Sequence, residues 1–311
     1  MKLIADDLDT LYRMVVSHVY RAPDFKSSPR GMATHEVLSA SVTLTNPRAR
    51  LIESAVRSVN YRFAAAEFMW YWLGRDDVSF IERYNRRLRE FSDDGKTLNS
   101  AYGRRMFGPG GHGDHAGSFG SQWRWTKHLL EEDPDSRRAI IHILGPDDVA
   151  KTTKDVPCTC TLQFFIRSGA LHMHTHMRSN DVFWGMPYDI FSFTLMQEAM
   201  AIELGVKLGH YHHTVGSLHI YERHFDDAKR IIAEDYLLRS PVMPPLTSND
   251  VMEGYFGHCR LHSLWNVCNA EAYVSTKQEI PEAMRPLVGS GEEWLIDRLY
   301  EKWGPASQEA E

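Results

Sequence analysis

The stretch from Cys158 to Arg178, CTCTLQFFIRSGALHMHTHMR, constrains the fold of this chain more than any other. Two runs read as strands, 158–167 and 170–178, flank the pair Ser168-Gly169, a tight connection of the kind that joins antiparallel neighbours. Successive side chains of a strand point to opposite faces, so Cys158 and Cys160 share one face, as do His172, His174 and His176. Further extended segments are expected at 34–45 (THEVLSASVTLT), 138–144 and 206–222. Residues 5–20 place Leu8, Leu11, Val15 and Val19 at helical spacing, and 58–73 reads as a buried helix followed by a charged helical segment through Glu90. SQWRWTKHLLEE and 187–205 read as two more helices. This pattern predicts an α+β fold: one domain over 1–311, with a single mainly antiparallel or mixed sheet and helices packed on it. The Gly-, Asp- and His-rich stretch from Asp93 to Gly120 reads as a long irregular loop, of a kind that is usually functional or mobile. The rest, including 240–305, reads as mainly helical ahead of a polar tail, SQEAE.

Of the 311 residues, 43% are hydrophobic and 24% charged, ordinary proportions for a globular protein that folds without staples. A net charge of −6 argues against general coating of nucleic acid, while leaving room for a small anion held by a few local arginines. Four cysteines, Cys158, Cys160, Cys259 and Cys268, make no disulfide framework, and reduced thiols are expected. The opening MKLIADDLDTLY breaks its apolar run with acids, unlike a signal peptide, and no window approaches the length of an apolar membrane span. A cytoplasmic protein with neither a membrane nor a nucleic-acid partner is expected.

Three groups of residues are candidates for chemistry. Cys158 follows Pro157 at the start of a strand; as a nucleophile it would need nearby positive charge, because the thiolate is the reactive form. A strand cysteine is otherwise an inert buried hydrophobe. The row His172, His174, His176 and the looser set His210, His212, His213 have the ligand type for a transition metal, yet the polar side of an amphipathic strand gives the same pattern. With no carboxylate or cysteine partner evident, no metal is expected. Arg30, Arg137, Arg138 and Arg178, the last beside Ser179, supply forks and a hydroxyl suited to phosphate if they converge.

The stretch Gly185 to Phe191, GMPYDIF, sets an acid among apolar residues at the start of a helix. Asp189 is either a first-turn acid, favoured there after Pro187 by the helix dipole, or a buried carboxylate that needs a partner.

SPRG at 28–31, EFMWYWLGRDD at 67–77, AYG at 101–103, DPDSRR at 133–138, PC at 157–158, RSNDVFWGMPYD at 178–189 and GSLHIYERH at 216–224 occur together and in order. In these motifs the sequence resembles the thymidylate synthase superfamily over about residues 25–225, and the 104–120 loop and the region after about 240 match poorly. The resemblance implies a homodimer whose sheets pack face to face, each site taking Arg137 and Arg138 from the other subunit. Those two, with Arg30, Arg178 and Ser179, would hold a nucleotide 5′-phosphate. Arg178 would also favour the Cys158 thiolate. His219 and Tyr221 would bond the sugar, Glu67 would organise water and proton transfer, and Asp181, Gly185, Tyr84 and Tyr188 would face the co-substrate 5,10-methylenetetrahydrofolate. The implied chemistry is addition of the Cys158 sulfur to C6 of a pyrimidine and transfer of a one-carbon unit to C5. The resulting exocyclic methylene is then reduced, in the synthases, or hydrated, in the hydroxymethylases.

Several departures bear on that choice. Asp189 stands where the synthases have an Asn that reads uracil; a carboxylate accepts well from the N4 amino group of cytosine. Thr159 replaces a His and Tyr84 a Trp, both where water access and folate packing change. The synthases end in an apolar tail that seals the site, and this sequence ends SQEAE; loss of the seal would favour water. Together these resemble the CMP and dCMP hydroxymethylase branch, and His219, Tyr221 and Ser179 resemble its deoxynucleotide-using members. Alternatives are methyl transfer of the synthase type, a deoxyuridylate hydroxymethylase and, from another class, a non-catalytic nucleotide- or RNA-binding member, against which Cys158 and the arginines speak.

Overall fold

In the computed structural model the described residues are 1–108, 121–234, 242–243 and 245–246. The hairpin forms where the sequence places it: β5 (Thr159–Arg167) and β6 (Ala170–Asp181) pair antiparallel across Ser168 and Gly169. Both turn residues have positive φ, 52° and 71°, the backbone that matches the twist of a two-residue hairpin. β6 then pairs in parallel with β7 (Lys207–Tyr221), a connection that requires a crossover, and α7 (Met186–Glu203) supplies it. β7 pairs antiparallel with β3 (Thr34–Leu44), which is flanked by β1 (Lys2–Ala5) in parallel and β2 (Phe25–Ser27) antiparallel. β4 (Ile140–His142) closes the other edge, giving the order β1-β3-β7-β6-β5-β4 in one mixed, mainly antiparallel sheet.

Helices cover one face of this sheet. α1 (Leu8–Arg21) starts at Asp7, whose carboxylate accepts from the Thr10 amide at 2.8 Å, and buries the stripe Leu8, Leu11, Tyr12, Val15, Val16 and Val19. α2 (Tyr61–Trp72), capped by Asn60, is buried on nearly every side, as is α7. On the opposite face of β6 the alternation leaves His172, His174 and His176 outward while Leu171, Met173 and Thr175 are buried.

Some boundaries differ from the sequence reading. The charged helix expected through Glu90 is split into α3 (Val78–Ile81) and a 3-10 turn (Arg86–Phe91), because Asn85 is extended and its side chain caps a new turn by accepting from the Arg87 amide. The stretch from Asp93, read as loop, contains α4 (Tyr102–Phe107), ended by Gly108 at φ 79°. Gly103 lets α4 lie against α2, since a Cβ there would fall 1.9 Å from the Tyr71 carbonyl oxygen. α5 (Gln122–Glu132), α6 (Pro146–Ala150) and α8 (Phe225–Ala233) complete the described helices. None of the described helices is long and apolar enough to cross a membrane. Residues 109–120, most of 240–305, Cys259, Cys268 and the SQEAE tail lie outside the described residues.

Candidate active site

One end of the sheet gathers most of the candidate residues. The parallel register sets Ser179 beside Ser217 and Asp181 beside His219, and the antiparallel register sets Thr34 beside Tyr221 and Glu36 beside His219. Arg30, in the turn between β2 and β3, lies at this end, exposed and at φ 51° and ψ 33°. Left-handed backbone is costly for a non-glycine residue and collects at functional turns.

Cys158 sits just ahead of β5, half-buried, and Arg178 holds it there. The Arg178 guanidinium donates to the carbonyl oxygens of Pro157 (2.8 Å) and Val156 (2.9 Å), and its Nη2 lies 3.7 Å from Cys158 Sγ. The expected positive charge is therefore beside the sulfur. Burial nevertheless pushes the thiol up, more than Arg178 pulls it down, and Asp189 adds to the rise. The resting group is a thiol, with the Arg178 charge opposing the rise. The following Thr159 is fully buried, and its amide donates to the Tyr102 hydroxyl at 3.4 Å.

Asp189 is only 8% exposed, so its carboxyl is a buried group and more than a first-turn acid. Its Oδ2 accepts from Asn180 Nδ2 at 2.8 Å. Asn180 Oδ1 in turn meets His213 Nε2 at 3.0 Å, and His213 Nδ1 meets the Tyr211 hydroxyl at 2.9 Å, which also bonds Thr175 at 3.0 Å. Burial holds His213 down to about 3, so the ring is neutral at pH 7. The Asn180 amide, set between His213 and Asp189, points its NH2 at Asp189. Burial pushes Asp189 up to about 7, against the Asn180 hydrogen bond. Glu67 on α2 is pushed up to about 8, by burial first and by the charge of Asp189 second, and it is hydrogen-bonded to Tyr71 one turn on. Gly185 admits this arrangement: a Cβ there would lie 2.6 Å from Asn180 Nδ2 and 3.1 Å from Asp189 Oδ2.

An aromatic and cationic wall stands at the start of α7. Asp181 Oδ1 accepts from the amides of Phe183 (2.7 Å) and Trp184 (3.2 Å), turning the chain so that Trp184 is 43% exposed. Arg223 lies 4.0 Å from the centre of the Trp184 ring and 4.3 Å from that of Tyr221, and Arg87 is 5.0 Å from Trp184. Tyr188 packs on Phe63 with Arg57 over its ring, and Tyr84 packs on Phe80. His219 is nearly buried, with its ring 5.0 Å from that of Tyr221.

Arg137 and Arg138 are exposed and lie elsewhere. Ala139 accepts from the Phe164 amide, six positions along β5 from Cys158, or about 20 Å at strand rise. Within one chain these two arginines do not meet the thiol. Sequence reasoning missed Asn180, Tyr102, Trp184, Arg87 and Arg223, and it weighed His213 only as one of a possible metal-binding set. Asn180 lies inside RSNDVFWGMPYD, but its tie to His213 spans 33 residues and has no local pattern.

A family description, thymidylate synthase, matches residues 10–251. The chain is 34% identical over 230 residues to the deoxyuridylate hydroxymethyltransferase of Bacillus phage SP01, covering 72% of this chain and 59% of that protein's length. It is 28% identical over 200 residues to the thymidylate synthase of Bacillus phage phi3T, covering 63% of this chain and 69% of that one. Thermostable thymidylate synthase A from Bacillus subtilis superposes with a TM-score of 0.61 at 23% identity, over 75% of this chain and 86% of the other, a likeness of fold.

Proposed function

Because the chain belongs to the thymidylate synthase family, we propose that it is a cytidylate 5-hydroxymethyltransferase, forming 5-hydroxymethyl-CMP or, as the favoured substrate form, 5-hydroxymethyl-dCMP. The observation that carries this reading is the buried Asp189, whose Oδ2 is already occupied by an Asn180 donor. Its remaining acceptor capacity suits the N4 amino group of cytosine, and a proton on the carboxyl, retained up to about pH 7, would donate to N3.

Phosphate would be held by Arg30, Arg178 and Ser179 with Arg137 and Arg138 of a second copy, and the sugar by His219 and Tyr221. The wall of Trp184, Tyr84 and Tyr188 with Arg57, Arg87 and Arg223 fits a flat aromatic molecule with an anionic tail, as 5,10-methylenetetrahydrofolate is. When bound, that co-substrate supplies the one-carbon unit.

Cys158 Sγ, deprotonated beside Arg178, bonds to C6, and the electron pair moves to C5, which takes the carbon. Asp189 fixes the base edge while this charge develops. Loss of the C5 proton, its electron pair breaking the bond from that carbon to the folate nitrogen so that tetrahydrofolate leaves, gives an exocyclic methylene on the nucleotide. Water oxygen then bonds to that carbon, the S–C6 bond breaks, and the pair returns to sulfur. Glu67, kept protonated near neutrality and bonded to Tyr71, is the group that orders water and moves protons.

Incubation with methylenetetrahydrofolate and CMP, dCMP or dUMP, followed by mass spectrometry, tests the proposal. A hydroxymethyl cytidylate is expected, and a 5-methyl product with dihydrofolate would refute hydration. The phage SP01 relative favours a second reading, a deoxyuridylate hydroxymethylase. Preferential turnover of dUMP would establish it in place of the first.

A further inference from the structure

On the helix-covered face of the sheet, Thr175, Tyr211, His213 and Asn180 form a row of buried polar side chains that ends on Asp189. Thr175 and His213 are register partners on β6 and β7, and Tyr211 lies two residues before His213 on the same face. The Tyr211 hydroxyl is 3.0 Å from Thr175 Oγ1 and 2.9 Å from His213 Nδ1. His213 Nε2 is 3.0 Å from Asn180 Oδ1, and Asn180 Nδ2 is 2.8 Å from Asp189 Oδ2. The proposed reaction gives none of the four a direct contact with the nucleotide. Polar groups exposed by no more than 3% are nevertheless costly to bury where apolar side chains would pack.

The row bears on a difficulty that a protonated Asp189 creates. A carboxylic acid has one O–H and one C=O. Facing cytosine, it accepts from the N4 amino group and donates to N3. Facing uracil, it accepts from N3–H and donates to O4 once the proton sits on its other oxygen. Burial alone therefore leaves Asp189 able to read either base. The titratable groups around it bring no charge to choose between its oxygens: Glu67, Tyr71, Tyr102, Tyr211 and Cys158 are all pushed toward their neutral forms. Arg178 is turned to the carbonyl oxygens of Val156 and Pro157.

Asn180 does distinguish the two oxygens. With its NH2 at Oδ2, as the structure places it, the proton is kept on Oδ1; the same amide turned by half a turn would set its carbonyl there and draw the proton to Oδ2. Which end of the amide faces Asp189 depends on its other end, where a neutral imidazole presents either an N–H or a lone pair. We propose that His213, acting through Asn180, is a specificity-determining positioning residue that fixes which oxygen of Asp189 carries the proton, and thereby which pyrimidine edge the site accepts. Tyr211, held by Thr175, engages the other ring nitrogen and so limits the choice of tautomer. The inference rests on the reading of Asp189 as the contact to the base edge.

The test compares dCMP with dUMP on the unmodified protein, His213→Asn, Tyr211→Phe, Asn180→Ala and the double variant Asn180→Ala with His213→Asn. His213→Asn keeps a polar group near the place of Nδ1 for Tyr211 and withdraws the one beside Asn180. Both kcat/KM and the calorimetric Kd of each nucleotide are measured, so base preference is read even without turnover, and circular dichroism establishes folding. His213→Asn should narrow the preference by about tenfold, and Tyr211→Phe should narrow it by less. The double variant should match Asn180→Ala, because the two residues act in series. An unchanged ratio in folded His213→Asn and Tyr211→Phe, with both nucleotides weakened alike, would overturn the inference. Additive effects in the double variant, or equal handling of the two bases by the unmodified protein, would also overturn it. A native preference for dUMP would refute the cytidylate reading alone, and the same substitutions must then narrow that opposite preference.

Discussion

Asp189 combines a buried carboxyl, a donor in Asn180 and a near neighbour, Glu67, that is also pushed toward its neutral form. Unfolded, such an Asp releases its proton near pH 4; folded, it keeps the proton up to about 7. The native state therefore holds an extra proton in that window, and its stability falls as pH rises through it. Asp189→Asn has no such proton, so its stability relative to the unmodified protein should improve by roughly 1.4 kcal/mol per pH unit across the window, a few kcal/mol at most. Urea unfolding at about pH 5 and about pH 8 measures this, and an unchanged difference between the two proteins would mean that the carboxyl ionises normally. Asn180→Ala removes the donor and strands His213, at a cost of about 1–3 kcal/mol in stability. It should also narrow the ratio of kcat/KM between cytidylate and uridylate, while leaving turnover of the preferred nucleotide measurable. A ratio identical to that of the unmodified protein would reduce Asn180 to a packing role.

At the scale of elements, the start of α7 concentrates the residues proposed to set specificity, because Gly185 brings the turn within contact of two side chains. Gly185→Ala should push Asn180 and Asp189 apart, costing about 1–3 kcal/mol, with a fall in kcat/KM larger than the stability loss explains. Thermal unfolding and kinetics on the same preparation separate the two effects. The sheet was legible beforehand because β5, β6, β3 and β7 alternate over 9 to 15 residues around a turn with an unmistakable Ser-Gly pair. α4 was not, since only six residues of it sit in a Gly-rich stretch and its stability comes from Gly103 docking on α2. The site divided along the same line. Residues in contiguous motifs, such as Cys158 with Arg178, were visible as candidates, and their contact is explained by the hairpin that pairs their strands. The His213 and Asn180 tie was invisible because it depends on how two parallel strands curve, which spacing does not encode.

For the whole molecule, the position of Arg137 and Arg138 is decisive. They lie about 20 Å along β5 from Cys158, beyond the reach of a side chain, so they serve the same site only if a second copy presents them. A two-fold dimer through the outer sheet face would do so in both directions. On the proposed function Cys158→Ala would lack the nucleophile and Arg138→Ala part of the phosphate clamp, so each variant alone should retain no more than about a hundredth of normal turnover, the order lost with a nucleophile or a charge-assisted contact. When the two variants are mixed and allowed to exchange subunits, half of the dimers become mixed. In a mixed dimer one site joins the intact Cys158 of one chain to the intact Arg138 of the other, and the second site carries both lesions. Recovery should therefore approach about a quarter of normal activity at equal mixing. A mixture no more active than its components would mean that Arg138 acts, if at all, within its own chain, and that the proposed exchange of arginines between copies does not occur.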